Sequence, residues 1–148
     1  ELGALRYVGR LDRPTEGLLL LTNDGDVANG LQHPSRGVER EYLVVANGEV
    51  SRASLATLTQ GVDLEDGLAK AASVRIVERG KLDTTLRLVR TEGRKREVRR
   101  MMLEVGHGVS RLVRLRFGTI TLGDLKAGAW RELEHDERKS LVALSIRG

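Results

Sequence analysis

Residues 9–25 read Gly9-Arg10-Leu11-Asp12-Arg13-Pro14-Thr15-Glu16-Gly17-Leu18-Leu19-Leu20-Leu21-Thr22-Asn23-Asp24-Gly25, and the fold is decided by how this stretch is read. The four leucines and Thr22 read as a short buried strand, Leu18–Thr22. Asn23-Asp24-Gly25 is a turn, and the Asp24 carboxylate is suited to cap a helix running to about Leu31, before Pro34. A buried strand leading out of a turn can hold one carboxylate rigidly, as nucleophilic catalysis by a carboxylate requires, so Asp12 is a candidate nucleophile. Taken alone, Arg-Leu-Asp in a loop is far more often a solvated turn than a catalytic centre. The rest of the chain has to separate the two.

Working outward, Glu39–Ala46 reads as a strand. Ser51 caps a second helix through Leu58, closed by Gly61 where a left-handed residue is favoured. Ala71–Val77 and Thr84–Val89 alternate around a turn at Gly80 and form an antiparallel hairpin. Val98, Met101, Met102 and Val105 recur on one helical face that ends at Gly106, a stripe best explained as core packing. Arg96 and Arg100 point from that helix toward solvent, whereas Arg99 sits at the edge of the stripe and can turn inward to a buried anion. Val113–Phe117 alternates apolar residues with arginine, which puts Arg114 and Arg116 together on the polar face of a strand. Trp130–Leu133 reads as a last strand and Glu137–Leu144 as a terminal helix. With no internal repeat or linker, one α+β domain is the economical reading.

The chain has 148 residues, 40% hydrophobic and 3% aromatic, which fits one soluble domain with an aliphatic core. The absence of cysteine excludes disulfides and thiolate metal sites, and no apolar run is long enough to span a bilayer, so the cytoplasm is the default location. The chain opens on Glu1 without a basic, apolar leader or an initiator methionine, so it is expected to be part of a longer, unexported protein. Net charge is +4, but residues 94–116 alone hold eight basic residues against Glu97 and Glu104, a local balance of +6. So concentrated and arginine-rich a segment favours a polyanionic partner; the bland alternative is a solvated helix face and a charge-protected edge strand. Tyr7, Tyr42, Phe117 and Trp130 are the only aromatic residues, too few for a platform that stacks several bases. His33, His107 and His135 are too scattered for a zinc motif. No Gly-x-Ser-x-Gly elbow accompanies Ser35, and the glycines have no phosphate-loop or dinucleotide spacing.

Taken in order, Gly9–Asp12, Glu16–Gly25, His33-Pro34, Glu39-Arg40-Glu41-Tyr42 and Glu92–Met101 resemble the catalytic domain of ribosomal RNA pseudouridine synthases of the RsuA family. The wording Arg-Glu-Val-Arg-Arg at Arg96–Arg100, followed by Ser110–Arg114, is similar to members acting on large-subunit rRNA. The resemblance implies a mixed, mainly antiparallel sheet with flanking helices. It implies site-specific isomerisation of uridine to pseudouridine, without cofactor or metal, on ribosomal RNA or a pre-ribosomal particle. Asp12 matches the catalytic aspartate, Tyr42 the tyrosine that stacks on the target base and is a candidate to assist loss of the carbon 5 proton, and Arg99 the basic residue paired with the aspartate. Arg10, Leu11, Arg40, Arg96, Arg100, Leu112 and Arg114 are the implied substrate contacts. Family members usually carry a small RNA-binding domain and a further strand with a Lys-Pro segment ahead of the Gly-Arg-Leu-Asp motif; this chain shows neither, and is expected to be a partial catalytic domain with an exposed sheet edge. Two rivals stand beside this reading. One is a noncatalytic rRNA-binding or ribosome-assembly module using the arginines alone, the other an acid/base hydrolase using Asp12 and Glu16.

Overall fold

The computed structural model describes residues 4–146; Glu1, on which the reading of the chain's start rests, lies outside them. In chain order the elements are β1 (Arg6–Val8), β2 (Glu16–Gly17), β3 (Leu20–Thr22), α1 (Gly25–Gln32), β4 (Arg40–Asn47), α2 (Arg52–Gln60), β5 (Val62–Leu64), β6 (Gly67–Ala69), β7 (Ser73–Arg79), β8 (Asp83–Arg90), α3 (Glu97–Glu104), β9 (Val109–Phe117), β10 (Ile120–Thr121) and α4 (His135–Ile146). The main sheet runs β10-β9-β4-β8-β7, antiparallel throughout, with β2 added parallel to β9. This is the expected α+β class.

β4 is central because its side chains alternate strictly. Arg40, Tyr42, Val44 and Ala46 are buried, while the residues between them are only half-buried. Leu86 and Leu88 of β8, Leu112 of β9, and Val98, Met101 and Met102 of α3 pack on that inward face, with Leu58 of α2 closing the cluster. A second cluster gathers Val8, Leu18, Leu20, Ala28, Leu31, Phe117, Ile120 and Leu141 around β1, β3, α1 and α4. Asp24 caps α1 as read, its carboxylate accepting from the Asp26 and Val27 N–H groups at 3.0 and 3.2 Å, and Ser51 caps α2.

Several readings change. The leucine run is only half-buried: Leu18 and Leu20 face the core, whereas Leu19 and Leu21 are 38% and 48% exposed. The chain switches partners inside it, since Gly17 pairs with β9 and Leu20–Thr22 pair antiparallel with β1, a strand directly before Gly9 that sequence reading missed. Gly61 follows α2 at φ 135° and ψ 137°, a positive-φ conformation that favours glycine but is not the left-handed helical one, and the chain enters β5 at once. β5 and β6 form a small hairpin that was also missed. Residues 130–133 form no strand: Trp130 is 72% exposed, and the segment leads into α4. Glu137 accepts the Glu134 N–H at 2.8 Å and pairs with Arg131, a helix-start arrangement that takes the place of strand pairing.

Arg114 and Arg116 do not share a face. β9 carries a bulge at Leu115, so that Arg114 stands opposite Tyr42 on the inward side and Arg116 opposite Glu41 on the other. One extra residue reverses the side-chain parity of everything after it. Arg116 pairs with Glu39 and Glu41 at 3.0 Å each.

Candidate active site

Asp12 lies on the loop between β1 and β2. Two features hold this loop. The Thr15 N–H donates to the Asp12 carbonyl at 2.8 Å, closing a turn around Arg13-Pro14. Gly17, at φ 106°, lies so close to β9 that a methyl group there would run into the Arg114 backbone. The Leu18 N–H then bonds the Arg114 carbonyl at 2.9 Å, and Arg114 Nε returns a bond to the Leu18 carbonyl at 2.8 Å. The candidate carboxylate is therefore tied to the central sheet within a few residues on its C-terminal side.

Asp12 and Tyr42 line one cleft, together with Leu11, Leu112, Arg90 and Glu97, and the exposed Arg10 and Arg96 rim it. The cleft is narrow. About 20 Å³ is open to the centre of a water-sized sphere, room for about one water molecule and not for a nucleobase. A base therefore enters only when the rim side chains move.

Arg99 reaches the Asp12 loop but does not pair with its carboxylate. Its guanidinium donates to the Pro14 carbonyl at 3.5 Å and to the Val109 carbonyl at 3.4 Å, and no ion pair to Asp12 within 4.0 Å is formed among the described residues. Its Nε is buried without a partner. Burial, and secondarily the charge of Arg96, hold Arg99 below the ordinary arginine value, while the charge of Asp12 acts in the other direction. The two groups thus sense each other through space, with the Arg99 guanidinium bonded to the backbone of the turn that carries Asp12.

Other expected contacts are placed differently. Arg40 is buried and donates to the carbonyls of Val38 and Thr91 at 3.1 and 3.0 Å; burial, then Arg90, pushes it down to about 10, so it stays charged at neutral pH. Arg40 and Arg114 both stack on Phe117, at 4.8 and 5.3 Å from the ring centre. Neither is presented to solvent as a phosphate ligand would be. Arg100 is bound to Asp66 at the tip of the β5–β6 hairpin through two bonds of 2.8 and 3.2 Å. Arg96 precedes α3 in a left-handed conformation, φ 53° and ψ 28°; it is exposed to solvent and also borders the cleft. Glu16 is exposed and bound by Arg111 through two 3.1 Å bonds, which keep its carboxyl below the usual range. A general acid needs the opposite shift, so Glu16 is a poor partner for Asp12 in hydrolysis.

Sequence reading missed the pair at the cleft's core. Arg90 Nη1 donates to Glu97 Oε1 at 2.8 Å, and Arg90 Nη2 donates to the Tyr42 hydroxyl at 2.9 Å. Glu97 is 1% exposed, and its second oxygen takes a 3.1 Å bond from Arg94. Removing one partner of such a buried pair costs about 3–5 kcal/mol, because the other charge is left unpaired. A signal existed: Arg90 continues the inward parity of Leu86 and Leu88.

Comparison with known proteins follows this geometry. Residues 2–104 match the family model for RNA pseudouridylate synthase. An uncharacterized RNA pseudouridine synthase of Aquifex aeolicus is 46% identical over 90% of this chain and 54% of its own length. The ribosomal large subunit pseudouridine synthase B of Vibrio cholerae is 49% identical over 86% of this chain and 40% of its own. A crystal structure of a pseudouridylate synthase superposes with a TM-score of 0.85 at 31% identity, covering 94% of this chain and 60% of that one. The chain spans about half the length of the curated relatives it matches. No helix among the described residues is long and apolar enough to cross a membrane. The family-model match, with the likeness in sequence and fold, shows that this chain belongs to the RNA pseudouridylate synthase family.

Proposed function

We propose that this chain carries the catalytic centre of an enzyme that isomerises uridine to pseudouridine in ribosomal RNA, of the large subunit, in the cytoplasm. One observation supports this above the rest: a carboxylate on a pinned turn shares a cleft with a buried tyrosine and an exposed cationic rim. Asp12 attacks the target uridine at the anomeric carbon or at carbon 6 of the ring. The bond from the anomeric carbon to N1 breaks, the base turns within the cleft, and a bond forms from the anomeric carbon to carbon 5; Asp12 is released as that bond forms if it attacked the anomeric carbon, or by elimination from carbon 6 afterwards if it attacked the ring. Carbon 5 then loses its proton and N1 gains one, so the reaction needs neither oxidant nor water. Tyr42 lines the same cleft as Asp12, and its hydroxyl is the group suited to accept that proton. Arg99 holds the backbone of the Asp12 turn and supplies positive charge near the carboxylate. The uridine has to leave its stack, a cost of a few kcal/mol that cationic contacts at the rim offset; Arg10 and Arg96 are placed for this. RNA in a pre-ribosomal particle is a second form of the same substrate.

The test is Asp12→Asn, assayed on unmodified large-subunit rRNA by chemical labelling and reverse-transcription stops. Pseudouridine formation disappears while RNA binding persists. Appreciable turnover by the variant refutes the nucleophile, and tight binding with no modification by the unsubstituted protein favours the assembly module.

A further inference from the structure

Tyr42 is one of two tyrosines in the chain, and it is 2% exposed. A buried phenol held only by packing would leave its hydroxyl to find whatever partner it could. Here Arg90 donates to the hydroxyl at 2.9 Å, and its guanidinium carbon stands 5.1 Å from the ring centre, so it restrains both the oxygen and the ring. Arg90 is held in turn by Glu97, and Glu97 by Arg94, whose other nitrogens bond the β5–β6 hairpin. The chain of contacts runs from the surface hairpin to the phenol without a gap.

We propose that Arg90, anchored by Glu97, is a positioning residue for Tyr42: it fixes the ring and presents the phenolic oxygen to the cleft with one acceptor site already committed to a guanidinium. The inference rests on the reading of Tyr42 as the proton acceptor. Charged groups face the phenol from every side: Arg40 on its own strand, Arg90 from β8, Arg114 from β9, Asp12 across the cleft, and Glu97 with Arg96 at the start of α3. Burial by itself raises a phenol, but the charges of Arg90 and then Arg114 outweigh it and leave Tyr42 below its ordinary value. A donor on the oxygen favours the ionised form, the one that takes up a proton.

The experiment is a pH titration of the protein labelled with 13Cζ-tyrosine, followed by NMR, in which Tyr7 gives the only other signal. In Arg90→Leu and in Arg90→Gln the Tyr42 transition moves to higher pH, and Arg90→Lys, which keeps the cation, returns it toward that of the unsubstituted protein. Arg90→Gln is shorter but keeps a polar side chain with hydrogen-bond donors and no charge, so it decides the matter if the leucine variant does not fold. On an rRNA substrate, kcat of the neutral variants falls by roughly tenfold or more, a part of the about 100-fold that a placed proton acceptor supplies, with KM little changed. An unmoved Tyr42 transition in a folded neutral variant overturns the inference. A transition that moves while the pH dependence of kcat stays put refutes Tyr42 as the proton acceptor and leaves the placement of its hydroxyl by Arg90 standing.

Discussion

Arg96→Gly is expected to make the protein more stable and a poorer RNA binder at once. Arg96 is the one non-glycine residue with positive φ among the described residues, at φ 53° and ψ 28°. An L-residue in that region gives up about 1–2 kcal/mol, and glycine's greater freedom in the unfolded chain takes back about 0.5–1 kcal/mol of what relief would gain. The net stabilisation is about 0.5–1 kcal/mol, or about 2 °C in Tm for a domain of this size. The side chain removed is exposed and borders the cleft, so the strain is spent at the proposed substrate site. Losing one phosphate-facing cation reduces the slope of log affinity against log salt by about 0.7–0.9. Urea unfolding and filter binding of an rRNA transcript across a salt series measure the two effects. Arg96→Ala is the control, since it loses the cation and keeps the strain. If the glycine variant is no more stable than the alanine variant, no strain is stored there; if the salt slope is unchanged in both, Arg96 does not face phosphate.

Gly17→Ala combines a forbidden φ of 106° with a methyl group driven into the Arg114 backbone, so it is expected to cost about 2–4 kcal/mol in urea unfolding and to release the Asp12 turn. A near-neutral result would mean that the β2–β9 pairing is not what holds the turn. Glu137 is held down to about 2 from 4.5 by Arg131 and by the Glu134 N–H. An acid depressed on folding stabilises the folded state above its unfolded value and loses that contribution as pH falls through the folded one. The stability deficit of Glu137→Gln is therefore present at pH 7, fades between about 4.5 and about 2, and shrinks in high salt because the pair is exposed; a deficit that is constant with pH refutes the pairing in solution.

What was legible in the sequence was whatever local chemistry decides. Asp24 and Ser51 announce helix starts because their side chains bond N–H groups two or three residues on. The stripe of Val98, Met101 and Met102 announces a packed helix face. The β5–β6 hairpin carried a readable turn signal at Asp66-Gly67, but its strands are three residues each, and Arg94 and Arg100 fasten its tip from far along the chain. The bulge at Leu115 left no local trace. It exists because β9 must pair with β4 on one side and with β2 and β10 on the other, a constraint visible only in three dimensions. For the same reason Arg114 looked like a surface cation and is 2% exposed.

The charge of the basic segment shows what this costs a functional reading. Of its eight cations, Arg94, Arg100, Arg111 and Arg116 are paired to carboxylates, and Arg114 is buried. Lys95, Arg96 and Arg99 form no ion pair among the described residues; Arg96 borders the cleft and Arg99 bonds the Asp12 loop. The local excess of +6 is thus mostly spent inside the molecule, holding the hairpin, the β2 edge and the sheet together. What this segment leaves for a polyanion is a small rim, joined by Arg10 at the same cleft. Charge counted along the chain measures the partner's sign, whereas charge left unpaired by the fold measures where the partner sits.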